Sequence, residues 1–97
     1  MRSKADAAAS FLKELANARR LMIVCELLQG ERSVGALESV VGLSQSALSQ
    51  HLAKLRRSRM VKTRRESQTI YYSLADPGAR KVIEALYDRY CGPGRRR

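Results

Sequence analysis

Residues 44–57 combine an apolar stripe of helical period with a face of short polar and cationic side chains. Leu48, Leu52 and Leu55 recur at the i, i+4 and i+7 spacing that places them on one side of a helix. Ser44 stands immediately before this pattern, where an N-cap residue is expected. The spacing therefore predicts a capped helix that is buried on one side only.

The other side of this helix carries side chains that suit the major groove of DNA. Amide and hydroxyl groups can bond base edges there, and cations can hold phosphates. An ordinary solvated helix has a similar face, so the helix alone leaves both interpretations open. The side chains on this face are Gln45, Ser46, Ser49, Gln50, Lys54, Arg56 and Arg57.

The positive charge of the chain is concentrated in its second half. The formal net charge is +10; residues 1–52 hold six basic and five acidic residues, whereas residues 53–97 hold thirteen and four. Seven of these cations, and no acid, lie from Lys54 to Arg65. A one-sided positive field favours a polyanion, most simply nucleic acid. No segment approaches the roughly 18 apolar residues of a membrane span, so no membrane partner is expected.

The length and composition suit one small domain spanning residues 1–97. With 44% hydrophobic residues the core is modest, and a second copy of the chain could cover apolar surface that one copy leaves exposed. No apolar signal segment follows the first residues, so a cytoplasmic protein is expected. In that compartment Cys25 and Cys91 are expected to be reduced, redox-responsive or metal-bound rather than permanently bridged.

Three further helices are predicted upstream of residue 44. Apolar residues at helical spacing predict a first helix over residues 4–15, and Asn17 caps a second that ends at Gly30. Ser33 caps a short third helix, which Gly42 closes two residues before the polar-faced helix begins. A helix, a tight glycine turn and a polar-faced helix form the helix-turn-helix arrangement. The apolar stripe of the first helix consists of Ala8, Phe11, Leu12 and Leu15.

After residue 58 the pattern changes to one rich in β-branched and aromatic residues. Residues 61–66 and 69–74 predict a hairpin. Because Ser67 adopts positive φ less readily than glycine, a turn of more than two residues is left open. Three polar side chains that could contact DNA lie near the tip, namely Arg64, Arg65 and Gln68.

The last helix is predicted to start at Asp76 as N-cap and Pro77 as first residue. Its apolar face consists of Ala79, Ile83, Leu86, Tyr87 and Tyr90; Cys91 follows, and residues 92–97 form a basic tail. The predicted order is α-α-α-α-β-β-α, a mainly α (α+β) chain. A hairpin directly behind a polar-faced helix indicates a winged helix-turn-helix domain, with its recognition helix at 44–58 and its wing at 61–74.

The run LSQSALSQHL at residues 43–52, followed by residues 55–56 and 63–72, resembles the ArsR/SmtB family of bacterial repressors. The similarity covers nearly the whole chain and extends upstream through residues 15–21. It implies a homodimer formed through the first and last helices. Each recognition helix would then occupy one half of an inverted-repeat operator, and binding would repress transcription until an inducer is sensed.

Familiar members of that family sense metals, and this sequence departs from them. Residues 33–37 occupy the position of the expected thiolate motif but contain neither Cys nor Asp. The last helix offers Asp76, Glu84 and Asp88 but no histidine, and His51, the single histidine, lies in the recognition helix. A zinc or soft-metal site needs about four N, S or O ligands. Neither a metal site nor a cofactor is therefore expected.

The surroundings of Cys25 in the second helix and of Cys91 after the last helix are similar to the BigR/HlyU/SqrR type of this family. Regulators of that type respond to persulfides, sulfide-derived species or oxidants. The resemblance implies that the two cysteines form a sensing dithiol, and that a disulfide or polysulfide bridge weakens operator binding. Ser58-Arg59 stand where that type more often has a glycine turn, and Ser67 at the wing tip is a second departure, so the wing geometry is left open.

The expected DNA contacts divide into two groups. The base readers are Gln45, Ser46, Ser49 and Gln50, and the backbone contacts are Lys54, Arg56, Arg57, Arg64 and Arg65. The predicted interface also includes Ser44, His51 and Gln68. For His51, a phosphate contact and a hydrogen bond within the motif are alternatives to base reading.

Two other functions compete with this interpretation. The first is a regulator without a sensor that competes for A·T-rich DNA, since Cys25 lies on an apolar stripe and free cysteine is often simply packed. The second is a thiol enzyme, but no CxxC motif, nucleophile–base pair or glycine-rich loop supports one.

Overall fold

The computed structural model describes residues 2–75 and 77–91 of the chain. Its elements are α1 (Arg2–Leu15), α2 (Ala18–Leu27), β1 (Arg32–Ser33), α3 (Val34–Val41), α4 (Gln45–Arg57), β2 (Val61–Glu66), β3 (Thr69–Leu74) and α5 (Pro77–Cys91). This order confirms the predicted winged helix-turn-helix, in which α3 and α4 are the helix-turn-helix and the β2–β3 hairpin is the wing.

Side-chain caps define where three of the helices begin. Asn17, Ser33 and Ser44 each precede a helix, and the side-chain oxygen of each accepts a hydrogen bond from a first-turn backbone N–H at 3.0–3.2 Å. Gly42 ends α3 in the left-handed conformation with φ 73°, which glycine adopts without strain. The predicted caps are therefore confirmed, and together they set the tight turn between α3 and α4.

The leucine stripe of α4 is the surface that anchors this helix. Leu48 and Leu55 are fully buried, and Leu52 nearly so. They belong to one core cluster to which α2 and α3 contribute Ile23, Val24, Leu27, Leu37 and Val41. Because α4 is held from this side, its polar side is left facing solvent.

The wing is a two-strand hairpin closed by two residues. Glu66 pairs with Thr69, so only Ser67 and Gln68 form the turn, and the longer turn that the sequence left open is not formed. Ser67 has φ 57° and Arg59 has φ 64°. Both residues thus hold a left-handed conformation, which side chains with a Cβ adopt less readily than glycine.

A third strand joins the wing to the body of the domain. β1 pairs antiparallel with β3, with Arg32 opposite Tyr72, and the sheet order is β1-β3-β2. This strand is absent from the sequence-based prediction because two residues are too short to show an alternating pattern. It places the inner strand of the wing between two neighbours.

The two terminal helices differ from prediction in detail. α1 begins at Arg2 rather than residue 4, and Cys91 is the last residue of α5 rather than the residue after it. Tyr90 was assigned to the buried face of α5 but is 75% exposed, because the packing of this helix on the core ends at Tyr87. The predicted Asp76 cap and the basic tail at 92–97 lie outside the described residues.

Part of the apolar stripe of α1 also remains uncovered. Leu15 is buried and Phe11 packs against the core, whereas Ala8 is exposed and Leu12 is 55% exposed. On α5, Val82 is 36% exposed. The terminal helices therefore present apolar side chains that this single chain leaves uncovered.

We expect Leu48→Ala to lower the free energy of unfolding by about 2–5 kcal/mol, because it leaves a cavity beneath α4. Val40→Ala is the control in the same motif: its side chain is 48% exposed, and the change should stay near 0.5 kcal/mol. Urea unfolding followed by circular dichroism measures both values. Equal midpoints for the two variants would contradict this account of the core.

Candidate nucleic-acid interface

The polar face of α4 is open to solvent along its length. All seven side chains expected there are exposed, namely Gln45, Ser46, Ser49, Gln50, Lys54, Arg56 and Arg57. At 100° per residue, Ser46, Gln50 and Arg57 project from the side directly opposite the leucine stripe. These three would reach deepest if the helix entered a groove.

A groove separates α4 from the wing. From α4 it is lined by Gln45, Ser49 and Arg56, and from the wing by Gln68 and Thr69. The structure thus divides the expected base readers between two positions, Ser46 and Gln50 at the centre of the face and the other two on the flank toward the wing. The flank pair shares its groove with the cation of Arg56, so it can contact a base edge close to a phosphate.

Two members of the predicted interface have local roles as well. The Ser44 hydroxyl oxygen accepts a hydrogen bond from the backbone N–H of Ala47 at 3.2 Å, so it is already used as a cap. Partial burial lowers the pKa of His51, and the nearby cations of Arg20 and Lys54 lower it further. The lowered pKa favours the neutral, hydrogen-bonding form of His51 in the free protein.

Arg64 is held by two acids rather than left free for DNA. Its Nε and Nη2 donate to the two carboxylate oxygens of Glu31 at 3.0 and 2.7 Å, and Nη1 donates to Glu66 at 2.9 Å. The guanidinium also lies 4.6 Å from the centre of the Tyr71 ring. A phosphate contact by Arg64 would have to replace one of these carboxylates.

The Glu31–Arg64 pair has a defined dependence on pH. The hydrogen bonds from Arg64 hold the pKa of the Glu31 carboxyl below its usual value. A lowered carboxyl pKa means that the pair contributes to stability at neutral pH and is lost as the pH falls through the folded-state pKa. Because Glu31 is exposed, the contribution is small, and the pair links the wing to the segment before β1.

The remaining predicted backbone contacts are available. Within the described part of the chain, none of the side chains of Lys54, Arg56, Arg57 and Arg65 forms an ion pair with an acid. Their charges are therefore free to neutralise phosphates. The structure thus separates Arg64 from the other cations with which the sequence had grouped it.

Sequence reasoning missed two residues that position this interface. Glu31 binds Arg64, which lies 33 residues away in the sequence, and no local sequence pattern predicts such a pair. Arg19, at the start of α2, donates from Nη1 to the backbone carbonyl of Val41 at 3.1 Å. This bond ties α2 to the end of α3, directly before the turn into α4.

The two cysteines lie where α2 and the end of α5 come together. Cys25 is half-buried, Cys91 is exposed, and both are free thiols. Burial raises the pKa of the Cys25 thiol, and the neighbouring Cys91 raises it further. Cys25 and Cys91 thus stand on two helices that pack against each other.

Across residues 2–75 and 77–91, no cluster of three or more His, Cys, Asp or Glu side chains is placed to bind a metal ion. None of the helices within those ranges has the length and hydropathy of a membrane span.

Comparison with known proteins places the chain among bacterial regulators. A family model described as "Bacterial regulatory protein, arsR family" matches residues 17–63. The transcriptional activator HlyU of Vibrio cholerae is 50% identical over 91 residues, which cover 94% of this chain and 84% of that protein. The biofilm growth-associated repressor of Agrobacterium fabrum is 47% identical over 93 residues, covering 96% and 80%.

Solved structures show the same fold. Reduced HlyU from Vibrio cholerae superposes with a TM-score of 0.90 at 50% identity and covers 94% of this chain and 96% of its own. A homodimeric winged helix-turn-helix DNA-binding domain from Mycobacterium bovis gives 0.80 at 33% identity, covering 88% and 79%.

The different states of two neighbouring wing arginines predict different effects on DNA affinity. Arg65→Ala should weaken binding to all duplexes and reduce the salt dependence, since it removes a free cation. Arg64→Ala should weaken binding less, because the Arg64 guanidinium is already bound to Glu31 and Glu66 and makes no phosphate contact in this arrangement. Fluorescence anisotropy over a salt series measures both, and a larger loss for Arg64→Ala would show that Arg64 leaves its acids to bind DNA.

Proposed function

The chain belongs to the ArsR family of bacterial regulatory proteins, and we propose that it is a sequence-specific transcriptional repressor with a thiol switch. In this proposal a reduced homodimer binds an inverted-repeat operator in the cytoplasm. Oxidation or persulfidation of Cys25 and Cys91 then releases the DNA. The observation that supports the switch is that the two thiols stand on α2 and α5, two helices that pack against each other, with Cys91 raising the pKa of the Cys25 thiol.

The exposed face of α4 supports specific DNA recognition. Glutamine side chains can form paired hydrogen bonds with adenine, and serine can bond several base edges in the major groove. Ser46 and Gln50 lie at the centre of that face, and Gln45 and Ser49 line the groove beside the wing. We therefore assign base reading to these four and phosphate contacts to the free cations around them.

Gln50→Ala should reduce discrimination between operator and random DNA by about 1–3 kcal/mol, since a base contact is lost while phosphate contacts remain. Gln29→Ala is the matched control, because Gln29 is also exposed but lies outside α4. The operator would be selected by the protein itself from a randomised duplex library, and both affinities measured by anisotropy. Unchanged discrimination in Gln50→Ala would show that base reading is assigned to the wrong residue.

The uncovered apolar residues of α1 and α5 support a homodimer. Leu12, Val82 and Tyr90 are exposed on the two terminal helices, and a second copy could remove them from water. The related Mycobacterium bovis domain is described as homodimeric. Two-fold symmetry would present two α4 helices to successive half-sites of an inverted repeat.

The proposed redox step involves attack by Cys91 and resolution by Cys25. The Cys91 thiolate, which is the exposed one, attacks the outer sulfur of an organic persulfide and becomes a persulfide as the organic thiolate leaves. The Cys25 thiolate then attacks the inner sulfur on Cys91. A Cys25–Cys91 disulfide forms and hydrosulfide leaves, so two thiols are oxidised and one sulfane sulfur is reduced.

The position of α2 explains how such a bridge would reach the DNA-binding face. α2 packs against α3, α4 and α5. A disulfide requires Cα atoms within about 7 Å, so a bridge to the end of α5 would restrict how α2 lies against the helix-turn-helix. A difference of about 1.4 kcal/mol between the two packings changes operator affinity tenfold. One of the solved relatives, HlyU from Vibrio cholerae, is described as reduced.

Persulfide treatment should lower the operator affinity of the wild-type protein at least about tenfold and leave Cys91→Ser unaffected, because the attacking thiolate is missing. Cys25→Ser should accumulate a persulfide on Cys91 without forming the bridge. Intact mass spectrometry distinguishes the bridge, by the loss of two hydrogens, from an added sulfur. A Cys91→Ser protein that responds like wild type would overturn the switch.

A regulator without a thiol switch is the second candidate. Cys25 packs against the hydrophobic core, as an inert thiol also does. HlyU is named an activator and the Agrobacterium relative a repressor, so competition with another DNA-binding protein fits this candidate. The persulfide titration separates the two, since this candidate requires operator affinity to be the same before and after treatment.

A further inference from the structure

A second basic surface lies on the side of α4 that faces away from the wing. Here the end of α1, the start of α2 and the end of α4 surround an open hollow. It is lined by Lys13, Glu14, Ala16, Arg20, Lys54, Arg57 and Ser58. We call this set the basic hollow; it holds four cations and one acid, so its charge favours an anion.

Arg20 is the least exposed cation of the basic hollow. Its side chain is only 12% exposed, and its Nη1 lies 3.6 Å from Glu14 Oε1, beyond hydrogen-bond distance. Within the described residues, Arg20 Nε and Glu14 Oε1 have no hydrogen-bond partner. A largely covered guanidinium normally uses its donors, so Glu14 leaves the hydrogen-bonding capacity of Arg20 unfilled.

The electrostatic influence of these cations reaches α4 itself. Arg20 and Lys54 both lower the pKa of His51, after the larger effect of partial burial. A positive potential therefore extends along this flank of the recognition helix. The sequence did not reveal it, because Lys13 and Arg20 lie far before the charge block that begins at Lys54.

The basic hollow and the wing groove lie on opposite flanks of the exposed α4 face. Arg57 lines both of them, and Ser46 and Gln50 project between them. A helix in the major groove, which is about 12 Å wide, has a sugar–phosphate backbone on each side. When the wing groove faces one strand, the basic hollow must face the other.

We propose that the basic hollow binds a phosphodiester of the DNA strand opposite the one beside the wing, with Lys13 and Arg20 as phosphate contacts. This inference rests on the proposed DNA-binding function, but it does not depend on the thiol switch. Glu14 competes with the phosphate for Arg20, so DNA binding would exchange a poorly formed ion pair for charge-assisted hydrogen bonds.

Lys13→Gln tests the site directly, and Lys4→Gln is its matched control. Both lysines are exposed on α1, and nine residues at 100° each place them on opposite sides of the helix. The probes are a random-sequence duplex long enough for both half-sites and the selected operator, bound to reduced protein over a salt series. Thermal unfolding confirms that both variants fold.

We expect Lys13→Gln to reduce the salt dependence of log K by about 0.9 per protomer, and to weaken both duplexes by the same factor. Lys4→Gln should retain the wild-type slope. Glu14→Gln should bind both duplexes more tightly than wild type, since it removes the competitor of the phosphate for Arg20. If Lys13 and Glu14 had only structural roles, the two substitutions would not change DNA affinity in opposite directions.

Equal slopes for Lys13→Gln and Lys4→Gln, with normal wild-type binding, would overturn this inference and leave the proposed function standing. Failure of the wild-type protein to bind either duplex would overturn both. Weaker binding by Glu14→Gln would show that Glu14 supports DNA binding rather than competing with the phosphate, and would overturn the assigned role of Arg20.

Discussion

Burial of the leucine stripe of α4 is the constraint on which the rest of the molecule depends. Leu48, Leu52 and Leu55 fix both the rotation of this helix and its depth against α2 and α3. Once that rotation is fixed, the direction of every polar side chain on α4 follows from the helical period. Recognition of a base sequence by this protein would therefore rest on hydrophobic packing, since the polar groups are aimed by residues that never meet DNA.

The cations around that helix form two groups: those paired with an acid and those without such a pair. Arg64 is paired with Glu31 and Glu66, and it joins the wing to the segment before β1. Arg65 and the cations of α4 carry no such pair among the described residues. Some arginines thus stabilise the fold, and others are available to bind an anion. Only the structure shows which arginine has which role.

The sequence predicted the parts of the fold that are determined locally. Caps at Asn17, Ser33 and Ser44 and the leucine spacing of α4 are properties of neighbouring residues, and all were confirmed. Contacts between distant segments were not accessible: the Glu31–Arg64 pair, the pairing of β1 with β3 and the basic hollow each join segments that no local pattern connects. Tyr90 was misplaced because helical spacing shows which residues share a face but not how far the core extends.

The short strand β1 has a consequence for the thermodynamics of association. A hairpin attached at one end only would lose conformational freedom on binding, and that loss would be subtracted from the affinity. Here β3 is paired on both sides at Tyr71 and Tyr72, and the Arg64–Glu31 bonds hold the outer strand at the same level. This part of the wing is therefore already ordered when the protein folds, so less ordering of its backbone remains to oppose complex formation.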